Sequence, residues 1–259
     1  MITSTKNPKV QSVRALQARA RTRREQGAFV VEGTRLCEEV LKVRWKPQLV
    51  LYGAELDERA QRALEGFREM QVECVQVSSH VMRAASDTQT PQGLLAVLPM
   101  DSIPLPEDFD FVLVADRIGD PGNLGTMLRA ALSAGVDAVL LAPQGVDPYS
   151  PKVIRAAMGA HFRLPVHPCS WAQIGAHLHG LRVYLAEARA GTAYTEADLR
   201  SPLALIVGGE AHGPSAQARR LADGTVHIPM PGGGESLNAA VAAAVLMFEV
   251  ARQREVQHA

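Results

Sequence analysis

Apolar residues along the 259-residue chain fall into short runs rich in Val, Ile and Leu, separated by stretches in which apolar positions recur at helical spacing. That alternation predicts a mixed α/β architecture. In the first hundred residues the runs are AFVVEG (Ala28 to Gly33), PQLVLYG (Pro47 to Gly53), VECVQVS (Val72 to Ser78) and GLLAVLP (Gly93 to Pro99), with helical spacers at 34–44 and 57–70. Ahead of them Val10, Val13, Leu16 and Ala20 mark one face of an amphipathic helix. The segment from Pro99 to Phe109 carries three prolines, which suits an extended linker and not a helix or a central strand. The expected organisation is a small α/β domain over residues 1–99, a linker over 100–109 and a second domain over 110–259.

The second domain repeats the alternation with FVLVAD (Phe111 to Asp116), a helical stretch from Leu124 to Ala134, DAVLLAP (Asp137 to Pro143), VYLAEA (Val183 to Ala188), LALIVGGE (Leu203 to Glu210) and TVHIPM (Thr225 to Met230). Strands this continuously apolar predict a parallel sheet covered on both faces. The last element, from Ser236 to about Arg252, is Ala-rich and apolar on nearly every face until Glu249. Such a helix is buried all round, within its domain or against another subunit.

Charge narrows the picture locally. Lys and Arg number 27, as do Asp and Glu, so no global field attracts a polyanion. Yet Lys6, Lys9, Arg14, Arg19, Arg21, Arg23 and Arg24 all precede the first acid, Glu25. The face they form is either a solvated helix surface or a phosphate-tracking one, and in the second case Lys6, Lys9, Arg19, Arg23 and Arg24 are the candidate RNA contacts. Cys37, Cys74 and Cys169 form no C-x-x-C pair and the eight histidines do not cluster, so neither a disulfide framework nor a metal site is expected. Reduced thiols and the lack of an apolar N-terminal run point to the cytoplasm. The longest uncharged apolar stretch, Ser236 to Phe248, is short of the roughly 20 residues that span a bilayer, so no membrane association is expected.

No G-x-G-x-x-G, P-loop, G-x-S-x-G or H-E-x-x-H pattern is present. What remains are three polar, Gly-rich turns, each after a strand of the second domain, where open α/β sheets bind ligands. The first runs from Asp116 to Arg129, with Asn123 and Gly125 opening a helix and Arg129 further along it. Its arginine can be a surface residue or a bidentate grip for phosphate or ribose. The second is Val207 to Pro214, where Gly208 and Gly209 allow close backbone approach to a ligand and Glu210 can accept hydrogen bonds, unless the turn is simply a strand-to-helix connection. The third runs from His227 to Asn238, and Ser236 there can be a plain N-cap of the Ala-rich helix or a ligand contact.

Together and in order, N-x-G-x-x-x-R at Asn123, Gly125 and Arg129, G-x-E-x-x-G at Gly208, Glu210 and Gly213, and I-P-M with S-L-N at Ile228 to Met230 and Ser236 to Asn238 resemble motifs 1 to 3 of the SpoU (TrmH) branch of the SPOUT RNA 2′-O-methyltransferases. Residues 1–99 resemble the substrate-binding domain of that family, a ribosomal-protein-like α/β unit, through Ser4, Asn7, Lys9, Phe29 to Gly33 and Thr90 to Gly93. The sequence departs from the family pattern at Pro214, where an aliphatic residue is usual, and in the flexible stretch 232–235. The resemblance implies a parallel sheet closed by a deep trefoil knot, a homodimer through the C-terminal domain, and S-adenosylmethionine held at Gly208, Gly209, Glu210, Ile228, Met230 and Leu237. It also implies methyl transfer to an RNA ribose 2′-oxygen, with Arg129 holding the target phosphate and Asn123, Glu210, Ser236 and Asn238 orienting nucleotide and cofactor. The expected substrate is large-subunit (23S) ribosomal RNA. Transfer RNA is the alternative within the class, and a non-catalytic RNA-binding or assembly factor, or a small-molecule binder, the alternatives outside it.

Overall fold

The computed structural model describes residues 1–101, 103–209 and 213–255. The chain divides into two compact units, Met1–Asp101 with Tyr149–Phe162, and Ser102–Pro148 with Arg163–Ala259.

In the first unit the elements are α1 (Pro8–Ala18), α2 (Ala20–Gln26), β1 (Ala28–Glu32), α3 (Thr34–Lys42), β2 (Leu49–Tyr52), α4 (Glu58–Glu69), β3 (Cys74–Gln76), α5 (Ser79–Ala85) and β4 (Leu94–Pro99). The sheet order is β1-β4-β2-β3, with β4 antiparallel to both neighbours and β2 parallel to β3. Alternate residues of β1 serve opposite faces, as the strand period requires. Phe29 and Val31 pack with Val40, Phe67 and Leu94, whereas Val30 packs with Val10, Val13, Leu16 and Val81. The segment Tyr149–Phe162, which sequence alone assigns to the second domain, belongs to the first of these cores through Tyr149, Ile154 and Phe162. The Tyr149 ring lies 5.0 Å from that of Phe29.

The single N-terminal helix expected from periodicity is two helices. Pro8 opens α1, Asn7 accepts from the Lys9 N–H at 3.0 Å, and the chain turns extended at Arg19, where φ is −129°. The break leaves the last carbonyls of α1 without helical partners. The Arg23 guanidinium supplies them, donating to Leu16 O at 2.5 Å and Gln17 O at 3.1 Å.

The second unit contains β5 (Phe111–Asp116), α6 (Pro121–Ser133), β6 (Ala138–Leu141), then, beyond α7 (Pro151–Ala157) and the one-turn helix Ala160–Phe162 of the first unit, β7 (Val166–Pro168), α8 (Trp171–His177), β8 (Arg182–Ala186), β9 (Thr192–Ala193), β10 (Leu203–Gly208), α9 (Ala216–Leu221), β11 (Gly224–His227) and α10 (Ala239–Glu255). Its seven strands form one parallel sheet in the order β7-β6-β5-β10-β8-β11-β9, as the continuous apolar runs require. Two edge strands, β7 and β9, are too short to show in the apolar pattern, and β11 stops at His227, which leaves Ile228 to Met230 in the loop beyond it. Val112, Val114, Ala204, Ile206 and Leu185 build the core on one sheet face, and α10 packs along α6. Among the described residues, no helix is long and apolar enough to cross a membrane.

Candidate functional site

Register decides which strand ends meet. Leu203 pairs with Phe111 and Gly208 with Asp116, so β10 and β5 finish level with each other and the first two Gly-rich turns emerge side by side. On the other flank of β10, Ile206 pairs with Leu185 of β8, and Ala186 pairs with Val226 of β11. The carboxyl ends of β10, β8 and β11 therefore share one rim of the sheet, the position where parallel α/β sheets bind ligands.

A cavity of about 400 Å³ opens at that rim. Gly208 and Gly209 line it after β10, Ile228 and Met230 after β11, and Ser236 and Leu237 before α10. Of the residues expected to hold the cofactor, these five, Gly208, Gly209, Ile228, Met230 and Leu237, converge on one site; Glu210 lies outside the described residues. Sequence reasoning passed over the contribution of β8, where Ala186, Glu187 and Ala188 supply the third wall. Glu187 pairs with Arg219 of α9, and both residues face the cavity. The only signal for it was a carboxylate at the end of the apolar run VYLAEA.

The glycines of the second turn answer to the chain's own backbone. A Cβ on Gly208 would sit 2.6 Å from the Pro214 nitrogen, and one on Gly209 would sit 2.4 Å from the Arg117 carbonyl oxygen. Both glycines line the cavity, and close packing within the second turn, for Gly208, and against the first turn, for Gly209, also requires them. The second turn is closed on itself and bonded to the first. Gly213 N–H donates to Gly209 O at 3.0 Å, Arg117 Nη2 donates to Gly213 O at 3.1 Å, and Ser215 N–H donates to Asp116 Oδ2 at 2.6 Å. Asp116 is wholly buried, and Arg117 adopts a left-handed conformation with φ of 54° to reach its partner. These two residues stand within the first turn, yet no role was read for them from sequence.

The remaining expected residues cluster on α6 and the start of α10. Asp120 caps α6, its Oδ1 accepting from Asn123 N–H at 2.9 Å. Asn238 Nδ2 donates to Asn123 Oδ1 at 3.0 Å, joining positions 115 residues apart. Asn238 Oδ1 accepts from Ala240 N–H at 3.0 Å and Val241 N–H at 3.2 Å, so Asn238 caps α10. Ser236, which could have been that cap, instead lines the cavity. Arg129 is exposed on α6, its side chain has no ion-pair partner among the described residues, and it is not part of the cavity wall.

The basic N-terminal face is only partly as expected. Lys6, Arg19 and Arg24 are exposed, and Lys9 is paired with Glu73. Arg23 is 4% exposed and committed to the α1 carbonyls, so it is a structural residue and not an RNA contact. No group of three His, Cys, Asp or Glu side chains among the described residues could hold a metal ion.

A parallel sheet with a cavity at the carboxyl ends of its strands and an Asn pair joining α6 to α10 defines an α/β protein with a strand-end ligand site. Residues 110–248 match the SpoU rRNA Methylase family, and residues 7–96 match the MRM3-like substrate binding domain. The chain is 35% identical over 251 residues to the 23S rRNA (guanosine(2553)-2′-O)-methyltransferase RlmP of Bacillus subtilis, covering 96% of this chain and 98% of that protein. It is 30% identical to the 23S rRNA (uridine(2479)-2′-O)-methyltransferase of Streptomyces viridochromogenes, over 97% and 92% of the two chains. The crystal structure of the SpoU methyltransferase AviRb from the same organism, in complex with AdoMet, superposes with a TM-score of 0.84 at 28% identity, covering 96% of this chain and all of that one. The protein belongs to the SpoU rRNA methylase family and is a methyltransferase of that family.

Proposed function

We propose that this protein transfers the methyl group of S-adenosylmethionine to a ribose 2′-oxygen of RNA, with large-subunit (23S) ribosomal RNA as its substrate. The observation that carries the reading is the cavity at the ends of β10, β8 and β11, in which five residues picked from sequence motifs converge. Its composition fits the cofactor. Val207, Ile228, Met230, Leu237 and Leu246 offer apolar walls for an adenine ring, and Glu187 and Ser236 offer polar groups for hydroxyl and ammonium functions. When bound, S-adenosylmethionine supplies an electrophilic methyl group.

The protein's own share is positioning and charge. The Arg129 guanidinium grips the target phosphate and stabilises negative charge on the 2′-oxygen as its proton passes to water. The Asn123–Asn238 hydrogen bond locks the first turn of α6 to the start of α10, and Ser236 and Glu210 orient the nucleotide and cofactor. Lys6, Lys9, Arg19 and Arg24 form the RNA-facing cations of the first unit. We further infer the trefoil knot of the family and a homodimer through α10, where Val241 and Phe248 are 47% and 49% exposed. These two residues are seven positions apart, on one face of the helix. Ribosomal RNA as substrate and three free cysteines accord with a cytoplasmic protein.

The test is transfer of labelled methyl from S-adenosylmethionine to total RNA lacking this modification, then fractionated into ribosomal and transfer pools, with Arg129→Ala alongside. Label in large-subunit ribosomal RNA, lost in the variant while cofactor binding stays within about twofold, is the expected result. Label confined to transfer RNA would move the substrate, and no label despite cofactor binding would favour a binding factor.

A further inference from the structure

The polar side chains in the cavity at the ends of β10, β8 and β11 are not equivalent. Among the described residues they are Glu187, Arg219, Glu235 and Ser236. Glu235 and Ser236 are exposed, whereas the Glu187 side chain keeps only 15% of its surface and lines the cavity together with the buried Val207, Val226 and Leu246. The position of Glu187 is set by its backbone, whose N–H donates to Val226 O at 3.0 Å.

Arg219 occupies one half of the Glu187 carboxylate. Its Nη1 donates to Glu187 Oε1, and α9 holds it in place, with Ala218 fully buried and Ser215 Oγ accepting from Ala218 N–H at 3.1 Å. Glu187 Oε2 has no partner among the described residues and stays accessible from the cavity. An ionised carboxylate has about four lone-pair sites, so the ion pair leaves acceptor capacity unused. The ion pair also cancels charge. A carboxylate with a guanidinium on one oxygen has little net attraction left for a second cation, and it still accepts from a hydroxyl.

We propose that Glu187 reads the ribose diol of S-adenosylmethionine through Oε2, with Arg219 orienting and neutralising the carboxylate. The proposal rests on the reading of this cavity as the cofactor site. Its apolar walls take the adenine ring, and the ribose is the part of the cofactor joined to that ring. A neutral hydroxyl loses less hydration than an ammonium group on entering a half-buried site, so the diol suits Glu187 and the charged methionyl end suits the exposed Ser236 and Glu235. Hydrogen bonds to an ionised acceptor are about twice as strong as those between neutral groups, which lets one carboxylate oxygen select for the diol.

The test is titration calorimetry of the full chain with three ligands: S-adenosylmethionine, 5′-methylthioadenosine, which keeps the diol and lacks the methionyl end, and the 2′,3′-dideoxy form of the latter. The wild type is expected to bind 5′-methylthioadenosine about tenfold more tightly than its dideoxy form, as loss of a hydrogen bond to a charged acceptor predicts. In Glu187→Ala the two should bind within about twofold of each other, and in the isosteric Glu187→Gln, whose acceptor is neutral, the preference should fall to about threefold. Each preference is a ratio within one protein, so a general loss of stability does not imitate it. Equal binding of the two ligands by the wild type overturns the proposal whether or not a variant folds, and so does a tenfold preference that survives in either variant. Glu187→Ala should weaken S-adenosylmethionine and 5′-methylthioadenosine by the same factor; weakening of S-adenosylmethionine alone would put Glu187 at the ammonium group and overturn the diol contact. Binding of S-adenosylmethionine without any preference for the diol removes the role of Glu187 and leaves the cofactor site. No binding of any of the three ligands removes both.

Discussion

Replacing Gly208 by alanine tests whether the cofactor cavity depends on the close packing of the turn after β10. The new Cβ would lie 2.6 Å from Pro214 N and 2.9 Å from both Gly213 C and Pro214 Cα. All three are backbone atoms, so relief requires the 213–214 segment to move as a piece. That segment is held by Gly213 N–H to Gly209 O, by Arg117 to Gly213 O and by Ser215 N–H to Asp116. Overpacking against a site that cannot give costs about 1–3 kcal/mol, and the bonds on both sides of the contact place Gly208→Ala toward the upper end. For a domain of this size each kcal/mol lowers the melting temperature by roughly 2–4 °C. Gly208, Gly213 and Pro214 also line the cavity, so a displaced segment changes its shape. A misfit worth about 1.4 kcal/mol raises the cofactor Kd tenfold. The assay pairs thermal unfolding with titration calorimetry of S-adenosylmethionine, and Gly119→Ala, where an added Cβ meets nothing within 4 Å, is the control. Gly208→Ala that melts with the wild type and binds the cofactor equally well would refute the packing account.

Four other outcomes follow from particular residues. Arg23→Ala removes a buried cation that donates to two helix-end carbonyls and should destabilise the protein by about 1.5–3 kcal/mol, whereas Arg24→Ala should leave the melting temperature unchanged; equal melting of the two would contradict the structural role of Arg23. Burial, with a smaller contribution from Glu38, raises the Cys37 thiol from its ordinary 9.0 to about 12, so a thiol reagent at pH 8 should label Cys74 and Cys169 but not Cys37 in the folded protein. Because that pKa is raised on folding, its contribution to stability is complete below about pH 9 and falls by about 1.4 kcal/mol per pH unit as the pH rises toward 12, which a chemical-denaturation series in the wild type and Cys37→Ala would reveal. Phe248→Glu places a charge on the exposed face of α10 and, on the proposed dimer through that helix, should convert dimer to monomer in sedimentation velocity; a variant that sediments as the wild type does would refute an interface through α10.

The sequence by itself determined the parallel sheet of the second unit, because strands covered on both faces must be apolar along their length, as Phe111 to Ala115 and Leu203 to Val207 are. It also marked Gly208 and Ser236, since turn chemistry after a strand is local and readable, whereas Ile228, Met230 and Leu237 entered through the resemblance to the family motifs. Tertiary structure decided the rest. Arg23 looks like its neighbours Arg21 and Arg24 in sequence, and only the break at Arg19 turns it inward to the carbonyls of α1. Asn123 and Asn238 each look like a helix-start residue, and the bond between them exists because α6 and α10 pack together. Tyr149–Phe162 follows β6 along the chain, but Tyr149, Ile154 and Phe162 bury their apolar surface in the first unit's core. Glu187 becomes a wall of the cavity through the pairing of β8 with β10 and β11. In each case the deciding contact joins residues far apart in the chain, and a local pattern of apolar and polar positions specifies an element's face without specifying what that face will meet.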